Sequence, residues 1–339
     1  MGLLIGLASS LVAGILNGSF AAPMKRISNW EWENTWFVYA LVALLILPIS
    51  AAFISVPGLV GIYAKVDNAV ILATLLTGFL YGIGSVTFGL GLHLAGLSLG
   101  YSLMVGLISI TGSLVPMLLL SPESILTTGG FILLLAMAVS VIGVIFCGIA
   151  GSMRAKSQLE GESDRKVSFR MAFTVCSISG IFSAMLNISL VMGMPIAEAA
   201  QANMTGTLAS FRAYNAVWLV TLSGAVIPYL LYCVFLFAKN RSAKNYKVNP
   251  ANFFRSALMG FLWFLCISLY GAGASNLGKL GTTIGWLILM AFTVIVGNLW
   301  GYFTGEWDEA PKNAKRKMVT GLLILLLSVV LVAIGKFFL

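Results

Sequence analysis

Long apolar stretches separated by short polar segments constrain this chain more than any other feature. About ten such stretches occur, each near the roughly 20 residues that an α-helix needs to cross a bilayer. We predict spans at 3 to 21, 35 to 55, 69 to 92, 98 to 120, 127 to 150, 169 to 191, 205 to 237, 256 to 276, 281 to 304 and 318 to 338. The seventh stretch is too long for one straight span, so we expect it to be kinked near Pro228 or to begin after Arg212. The sequence thus predicts an all-α polytopic membrane protein without a soluble domain.

The composition excludes the soluble classes of protein. Of 339 residues, 59% are hydrophobic and 9% are charged, whereas roughly 25% are charged in soluble domains. The net charge of +9 would suggest a nucleic-acid partner in a soluble chain, but the basic residues lie in loops between apolar stretches, so we expect the lipid bilayer and no nucleic acid. The four cysteines lie inside apolar segments without the spacing of a metal site or a disulfide framework, so we predict no metal and no cofactor.

The distribution of the basic residues predicts how the spans are oriented. The loops that follow odd-numbered spans carry 16 of the 20 lysines and arginines. By the positive-inside rule these loops are cytoplasmic, which puts both termini on the outer side of the membrane. The longest polar stretch, from Gly151 to Ser168, is then a cytoplasmic linker between a first five-helix half, 1–150, and a second half, 169–339.

The two halves are similar in sequence. Gly-Phe-Leu at 78–80 recurs at 260–262, and the same separation of 182 positions pairs Gly91 with Gly273. Because each half has five spans, the second half must be inverted in the membrane relative to the first. Inverted repeats are typical of secondary transporters, in which the substrate binds near the midplane between the halves. The sequence therefore predicts two inverted five-helix repeats that rock against each other to give alternating access.

Several motifs occur in the order in which one transporter family has them. They are the tryptophan and acid pattern at 30–36 (WEWENTW), 81–84 (YGIG) with 88–89 (FG), 180–184 (GIFSA) and 306–307 (EW) after the ninth span. From the first span to the last, the chain resembles the L-rhamnose/proton symporter family of the drug/metabolite transporter superfamily. The resemblance implies ten helices in two inverted repeats and import of L-rhamnose or a related hexose with protons. It also implies a place in the bacterial inner membrane and no enzymatic activity, and it leaves the oligomeric state open.

Polar and aromatic groups inside the spans are the candidate substrate ligands, because such groups are costly in lipid and usually face the bundle interior. Asn17 on the first span and Asn187 on the sixth can each donate to and accept from adjacent sugar hydroxyls. Trp263 and Tyr270 share one face of the eighth span and Trp286 lies on the ninth, where their rings would suit the apolar face of a hexose. Alternatively, the asparagines bond neighbouring helices and the aromatic residues are interfacial anchors. We expect such anchors at Trp30, Trp32, Trp36, Trp300 and Trp307.

Proton coupling needs a titratable group that is exposed alternately to the two sides of the membrane. Glu33 is the best candidate, because it lies at the start of the second span between two tryptophans and at the family's WxWE position. Partial burial there would favour a carboxyl that takes up protons. His93, Glu123 and Glu198 are the other candidates. We expect His93 to be solvated in a short cytoplasmic turn and Glu123 to stabilise a helix N-terminus.

Other function classes lack their signatures in this sequence. A membrane-embedded transferase would need paired acids at a helix mouth or a domain that binds a nucleotide. A channel would need charged rings or a filter loop. Among carriers, a drug/metabolite exporter of the same superfamily and an uncoupled sugar permease remain as alternatives.

Overall fold

The computed structural model describes residues 2–158, 169–206 and 208–339. The described part contains helices and no strands, and ten of its helices are long and apolar enough to cross a membrane, which confirms the predicted number. Spans 1 to 10 cover Gly2–Arg26, Trp32–Ser55, Asn68–Leu92, Gly100–Leu120, Thr128–Ser157, Arg170–Gln201, Ala209–Asn240, Ala251–Ser275, Gly281–Phe303 and Lys312–Phe337.

Part of the predicted linker and the side chain of one candidate for proton coupling lie outside the described residues. Residues 151–158 of the linker continue the helix Thr128–Gln158, and residues 159–168 lie outside the described residues. The side chain of His93 also lies outside what the structure describes. The helix of span 5 therefore runs on beyond its apolar stretch into the predicted linker.

With ten spans, both termini lie at one end of the bundle, which we call the terminal end. There Gly2 approaches Asn276, with 3.8 Å between the Cβ position of the glycine and the asparagine carbonyl oxygen. Lys336 Nζ lies 3.5 Å from the Cβ position of Gly278 at the same end. We call the opposite end, where span 5 runs into residue 151, the linker end.

Spans 3 and 4 form a hairpin, although helical geometry continues over Asn68–Leu120. A straight helix would separate residues 91 and 104 by about 20 Å. Instead, Met104 Sδ lies 2.7 Å from the Cβ position of Gly91, and the carbonyl oxygen of Gly91 lies 3.0 Å from the Cβ position of Gly100. The chain therefore reverses between these positions, and the glycines allow the two arms to touch.

Span 7 differs from its predicted form. It is one helix of 32 residues, Ala209–Asn240, so the prediction that it begins after Arg212 is wrong. Arg212 fits inside the helix because its Nε donates to the carbonyl oxygen of Ser55 at 2.8 Å, which satisfies the cation at the end of span 2. Pro228 lies inside this helix.

A widened turn interrupts span 2. The segment Leu41–Ile46 is a π-helix and is followed directly by a turn that contains Pro48. Proline has no N–H to donate and its ring crowds the preceding turn, which a π-turn can accommodate. The turn begins beside span 8, where the Cβ position of Gly260 is 3.0 Å from both Tyr39 O and Val42 Cβ.

The packing order of the spans determines which side chains meet inside the bundle. Span 1 packs between spans 8 and 9, and span 6 packs on the hairpin of spans 3 and 4. Spans 2 and 7 lie against spans 8 and 3, respectively. Spans 5 and 10 pack on each other. The middle of the bundle is therefore lined by spans 1, 3, 4, 6, 8 and 9, which carry all five predicted substrate ligands.

Candidate functional site

Asn187 and Tyr270, two of the predicted substrate ligands, meet in the half of the bundle nearer the terminal end. The Tyr270 hydroxyl donates to Asn187 Oδ1 at 2.5 Å and lies 2.9 Å from the carbonyl oxygen of Thr282. Asn187 Nδ2 donates to the carbonyl oxygens of Gly112 at 2.6 Å and Thr282 at 3.2 Å. Both side chains are fully buried. Their polar atoms therefore bind protein groups of spans 4 and 9.

Trp286, a third predicted ligand, completes this cluster. Its indole Nε1 donates to the carbonyl oxygen of Ile108 at 3.1 Å, and its ring meets that of Tyr270 edge to face at 5.5 Å. A Cβ at Gly112 would lie 2.3 Å from Trp286 Nε1, so only glycine leaves room for the indole. We call Asn187, Tyr270 and Trp286 the gate cluster, because they hold spans 4 and 9 together.

Trp263 lies apart from the gate cluster, in an aromatic group. It stacks on Tyr81 of span 3, with ring centroids 6.1 Å apart and planes inclined by 7°. Tyr39 approaches the same indole at 6.1 Å and contacts Trp36 at 5.0 Å and Phe20 at 5.9 Å. These rings form a continuous aromatic path from Trp263 toward the linker end.

Asn17, the other asparagine predicted as a substrate ligand, lies apart from Asn187. Its Nδ2 donates to Thr293 Oγ1 at 2.9 Å, and Thr293 Oγ1 donates to the carbonyl oxygen of Leu289 at 2.7 Å. Both Asn17 and Thr293 are partly exposed, whereas Asn187 is fully buried. The sequence already indicates that the two asparagines do not occupy matching positions. Gly14 and Gly180 are 166 positions apart, and the same offset pairs Asn17 with Ser183 rather than with Asn187.

Glu33 is 1% exposed and joins span 2 to the end of span 7. Its Oε1 accepts from Asn240 Nδ2 at 2.9 Å and from the Ser242 hydroxyl. The neighbouring Asn34 donates to the carbonyl oxygen of Ser242 at 3.0 Å. Among the described residues, no lysine or arginine forms an ion pair with Glu33. This carboxyl is therefore held by neutral donors.

Sequence reasoning missed a group of charges at the linker end. Glu306 pairs with Lys25 Nζ at 2.5 Å and with Arg154 Nη1 at 2.7 Å, and the Arg154 guanidinium lies 5.0 Å above the Trp307 ring. Burial raises the pKa of Glu306, but the hydrogen bonds and charges of Lys25 and Arg154 outweigh it and hold the pKa below its ordinary value. The only signal in the sequence is the motif 306–307, which carries no information about its partners.

One expectation about a single residue needs correction. Trp307 is not an interfacial anchor, because its ring is 1% exposed and packs among buried residues such as Ala150 and Ala314. Glu123 lies in the first turn of the short helix Pro122–Leu126, at a helix N-terminus as expected, and it also pairs with Lys279, whose Nζ lies 3.0 Å away. The hydrogen bond from Lys279 lowers the pKa of Glu123.

Comparison with known proteins assigns the chain to a family. The model of the family L-rhamnose-proton symport protein (RhaT) matches residues 1–337. L-rhamnose-proton symporters of Yersinia pestis (strain Pestoides F) and Yersinia pseudotuberculosis (serotype O:1b, strain IP 31758) are 28% identical over 344 residues, which cover 98% of this chain and 98% of each relative. The resemblance found in the motifs is thus confirmed at the level of the family. The chain belongs to the L-rhamnose-proton symport protein (RhaT) family.

Proposed function

We propose that this chain imports L-rhamnose or a closely related hexose together with protons across the bacterial inner membrane. The observation that carries the proposal is the family match to residues 1–337, which includes all ten spans. The relatives at 28% identity are named L-rhamnose-proton symporters. Membership of a transporter family also argues for a carrier rather than an enzyme.

In this proposal the linker end faces the cytoplasm and both termini face outward. The loops at the linker end carry 16 of the 20 basic residues, as the positive-inside rule requires of cytoplasmic loops. We further propose that the chain is built as two inverted repeats, 1–150 and 169–339, joined by 151–168, as in the drug/metabolite transporter superfamily.

Equivalent contacts in the two halves support the inverted repeats. Ser10 of span 1 lies against Gly273 of span 8, with 3.2 Å between Oγ and the glycine's Cβ position. The offsets of 166 and 182 positions map this pair onto Cys176 and Gly91. There Cys176 Sγ also lies 3.2 Å from the Cβ position of the glycine. A twofold relation between the halves accounts for this coincidence.

Spans 5 and 10 pack through glycine pairs that fit the same relation. The Cβ position of Gly129 is 2.7 Å from the carbonyl oxygen of Gly335, and that of Gly321 is 2.9 Å from the carbonyl oxygen of Gly143. Gly129 and Gly321 are 192 positions apart, as are Gly143 and Gly335. Exchanging the halves therefore exchanges the two contacts, as a twofold axis between antiparallel helices requires.

The stacked rings of Tyr81 and Trp263 indicate where that axis lies. The two residues are 182 positions apart and are therefore equivalent, and equivalent residues touch each other only beside the axis. Substrate sites of inverted-repeat transporters lie at the repeat interface near the midplane. We propose that the sugar binds here, with its apolar face against Trp263 and with Asn17, on the linker side, bonding its hydroxyls.

The contacts between spans 4 and 9 differ between the two ends of the bundle, and this difference supports an inward-facing state. In the terminal half, Thr283 Oγ1 donates to the carbonyl oxygen of Ser113 at 2.9 Å, so the spans are in contact. The residue at the equivalent position to Thr283, 182 positions earlier, is Tyr101 at the linker end, which lines a cavity of about 280 Å³ together with Asn298 of span 9. One closed half and one open half is the asymmetry that alternating access produces. We therefore propose that the gate cluster closes the outer side in this state.

We propose Glu33 as the proton carrier. Its partners, Asn240 and Ser242, are neutral, so the carboxyl can bind and release a proton without breaking an ion pair. Glu306, by contrast, is fixed between two cations. Glu33 also joins a span of the first half to a span of the second, so its protonation would change a contact that differs between transport states.

Uptake of labelled L-rhamnose tests this function. In cells that lack their own rhamnose carrier, expression of this chain should raise internal L-rhamnose above the external concentration, and a protonophore should abolish the accumulation. Equilibration of L-rhamnose that the protonophore does not change would indicate an uncoupled permease. Export of preloaded compounds without uptake would indicate an exporter, and either result would overturn the proposal.

A further inference from the structure

Three tyrosines from three different spans meet beside Trp263. Tyr81 of span 3 stacks on the indole, and Tyr39 of span 2 approaches it at 6.1 Å between ring centroids. The ring of Tyr229 of span 7 lies 6.3 Å from that of Tyr39. We call Tyr39, Tyr81 and Tyr229 the tyrosine trio. None of them was predicted as a ligand from the sequence, because their spans reach Trp263 only in the folded bundle.

The hydroxyl groups of the tyrosine trio also lie close together. The Tyr39 hydroxyl neighbours those of Tyr81 and Tyr229. Ser85, one turn beyond Tyr81 on span 3, is within hydrogen-bonding reach of the hydroxyls of Tyr81 and Tyr229. Hydroxyl groups from spans 2, 3 and 7 are therefore gathered in one place.

The protein does not use the full hydrogen-bonding capacity of these hydroxyls. Each hydroxyl can donate one hydrogen bond and also accept, so Ser85 alone cannot satisfy two phenols completely. In the described part of the chain, the Tyr39 hydroxyl has no partner, and its oxygen is not among the unpaired polar atoms that lack accessible surface. Buried polar groups are nearly always satisfied in native proteins. The tyrosine trio therefore has donors and acceptors available to a ligand.

The face of span 3 that carries Tyr81 and Ser85 is uncovered toward the linker end. Gly89 continues this face at steps of four residues, and the Cβ position of this glycine meets open space. Exposure rises along the face, since Tyr81 is 9% exposed, Ser85 is partly buried and Gly89 is exposed. In the inward-facing state that we propose, a ligand reaches the tyrosine trio from this side.

The opposite wall has no matching hydroxyls. The separation of 182 positions pairs Tyr81 with Trp263 and Ser85 with Ile267. Span 8 therefore carries an indole and an aliphatic side chain at the positions where span 3 carries two hydroxyls. A hexose is two-sided in the same way, with hydroxyls at its edge and an apolar face of C–H groups. One polar wall and one apolar wall fit such a ring better than they fit a charged or a purely apolar ligand.

We propose that the tyrosine trio determines the specificity of the sugar site by binding hydroxyls of the hexose while Trp263 covers its apolar face. The proposal rests on the proposed function, because it takes the transported sugar as the ligand and places it beside Trp263. It assigns individual sugar hydroxyls to individual phenols. Removing one phenol hydroxyl should therefore weaken recognition of the one sugar hydroxyl that it binds.

Tyrosine-to-phenylalanine variants and deoxy analogues of L-rhamnose test this assignment together. Phenylalanine keeps the ring and removes only the hydroxyl, so Tyr39→Phe, Tyr81→Phe and Tyr229→Phe should insert normally. The wild type should bind analogues that lack one bound hydroxyl about two- to tenfold more weakly than L-rhamnose, the effect of one hydrogen bond. In each variant, L-rhamnose should bind more weakly by about the same factor, and the discrimination against one analogue should disappear. Competition of each analogue with uptake of labelled L-rhamnose measures these ratios.

Tyr63→Phe is the matched control. The Tyr63 hydroxyl donates to the carbonyl oxygen of Ala216 at 2.8 Å, so the protein already uses this phenol. The control variant should keep the wild-type KM for L-rhamnose and the wild-type discrimination against every analogue.

The outcomes separate the two proposals. If the wild type transports L-rhamnose and all three variants discriminate against every analogue as the wild type does, the role of the tyrosine trio is wrong and the proposed function stands. Equal weakening of L-rhamnose and of all analogues in the three variants would also overturn that role, because it indicates packing. If the wild type transports no hexose, both proposals fail.

Discussion

The two ends of this helix bundle differ in what surrounds their polar side chains. At the terminal end, Asn187 and Tyr270 bind each other and the backbones of spans 4 and 9, and no polar atom of theirs is left for a ligand. At the linker end, Tyr101 of span 4 and Asn298 of span 9 line a cavity of about 280 Å³. Under the inverted repeats that we propose, such a difference reflects the state of the molecule rather than the chemistry of either half.

Glu33→Gln, a change at the linker end, should have the largest effect on transport. Glutamine keeps the size and the acceptor of Glu33 but cannot ionise, so accumulation of sugar should fall to the external concentration while downhill exchange survives. Glu31→Gln is the control, since Glu31 is an exposed neighbour on the same segment. Accumulation and exchange are measured with labelled sugar in vesicles under a proton gradient. Full accumulation by Glu33→Gln would exclude this residue as the coupling group.

Tyr270→Phe should weaken the closed terminal end. It removes the hydroxyl that links Asn187 and Thr282, and a hydrogen bond of this kind contributes about 0.5–1.5 kcal/mol. The outward-open population should therefore rise by roughly two- to tenfold. An impermeant maleimide that reacts with Ser113→Cys from the terminal side measures this population, and Tyr302→Phe, on an exposed ring, is the control. Unchanged labelling would remove the gate cluster from the closing mechanism.

Asn17→Ala and Asn187→Ala compare the two predicted asparagine ligands directly. Asn17 is partly exposed and donates to Thr293 Oγ1, whereas Asn187 is buried with three hydrogen bonds. We expect Asn17→Ala to raise the KM for uptake about two- to tenfold at normal membrane levels. Asn187→Ala should instead lower the amount of folded protein. The same KM in Asn17→Ala and the wild type would assign Asn17 to helix packing.

Ion pairs at the two ends should give the smallest effects. Glu306 is partly buried between two cations, whereas Glu123 and Lys279 are both exposed. Glu306→Gln should lower Tm by a few degrees at neutral pH, and Glu123→Gln should not change it measurably. Because the folded pKa of Glu306 is lowered from 4.5, the stabilisation is complete above that pH and is lost as the pH falls below it. A wild-type advantage that does not shrink as the pH is lowered below 4.5 would contradict this.

The number of spans and the fold class could be read from the sequence, because span length and hydropathy are local properties. The start of span 7 could not, since Arg212 depends on a carbonyl oxygen of Ser55, 157 positions earlier in the chain. The repeat that we propose has its sequence signal in Gly91 and Gly273, because close contacts between helices require glycine at both positions. Local patterns thus predict elements, and tertiary contacts decide their ends.

The candidate site was only partly predictable for the same reason. Spacing placed Trp263 and Tyr270 on one helix face, but it could not show that Tyr270 meets Asn187 while Trp263 meets Tyr81. Gly112 has no side chain that would mark it as the partner of Trp286. Which faces meet is fixed by the packing of several helices, and no single span contains that information.

Sided labelling of two cysteines tests most directly whether the terminal end is closed and the linker end open. Cysteine replaces one of two residues. Gly297 lines the cavity, and its Cβ position lies 4.0 Å from Gly18 O. Ser113 is buried in the terminal half. The four native cysteines are replaced by alanine first. Without sugar, an impermeant maleimide should label Gly297→Cys from the linker-end face alone and Ser113→Cys from neither face. Labelling of Ser113→Cys from the terminal side, with Gly297→Cys protected on both faces, would contradict the account.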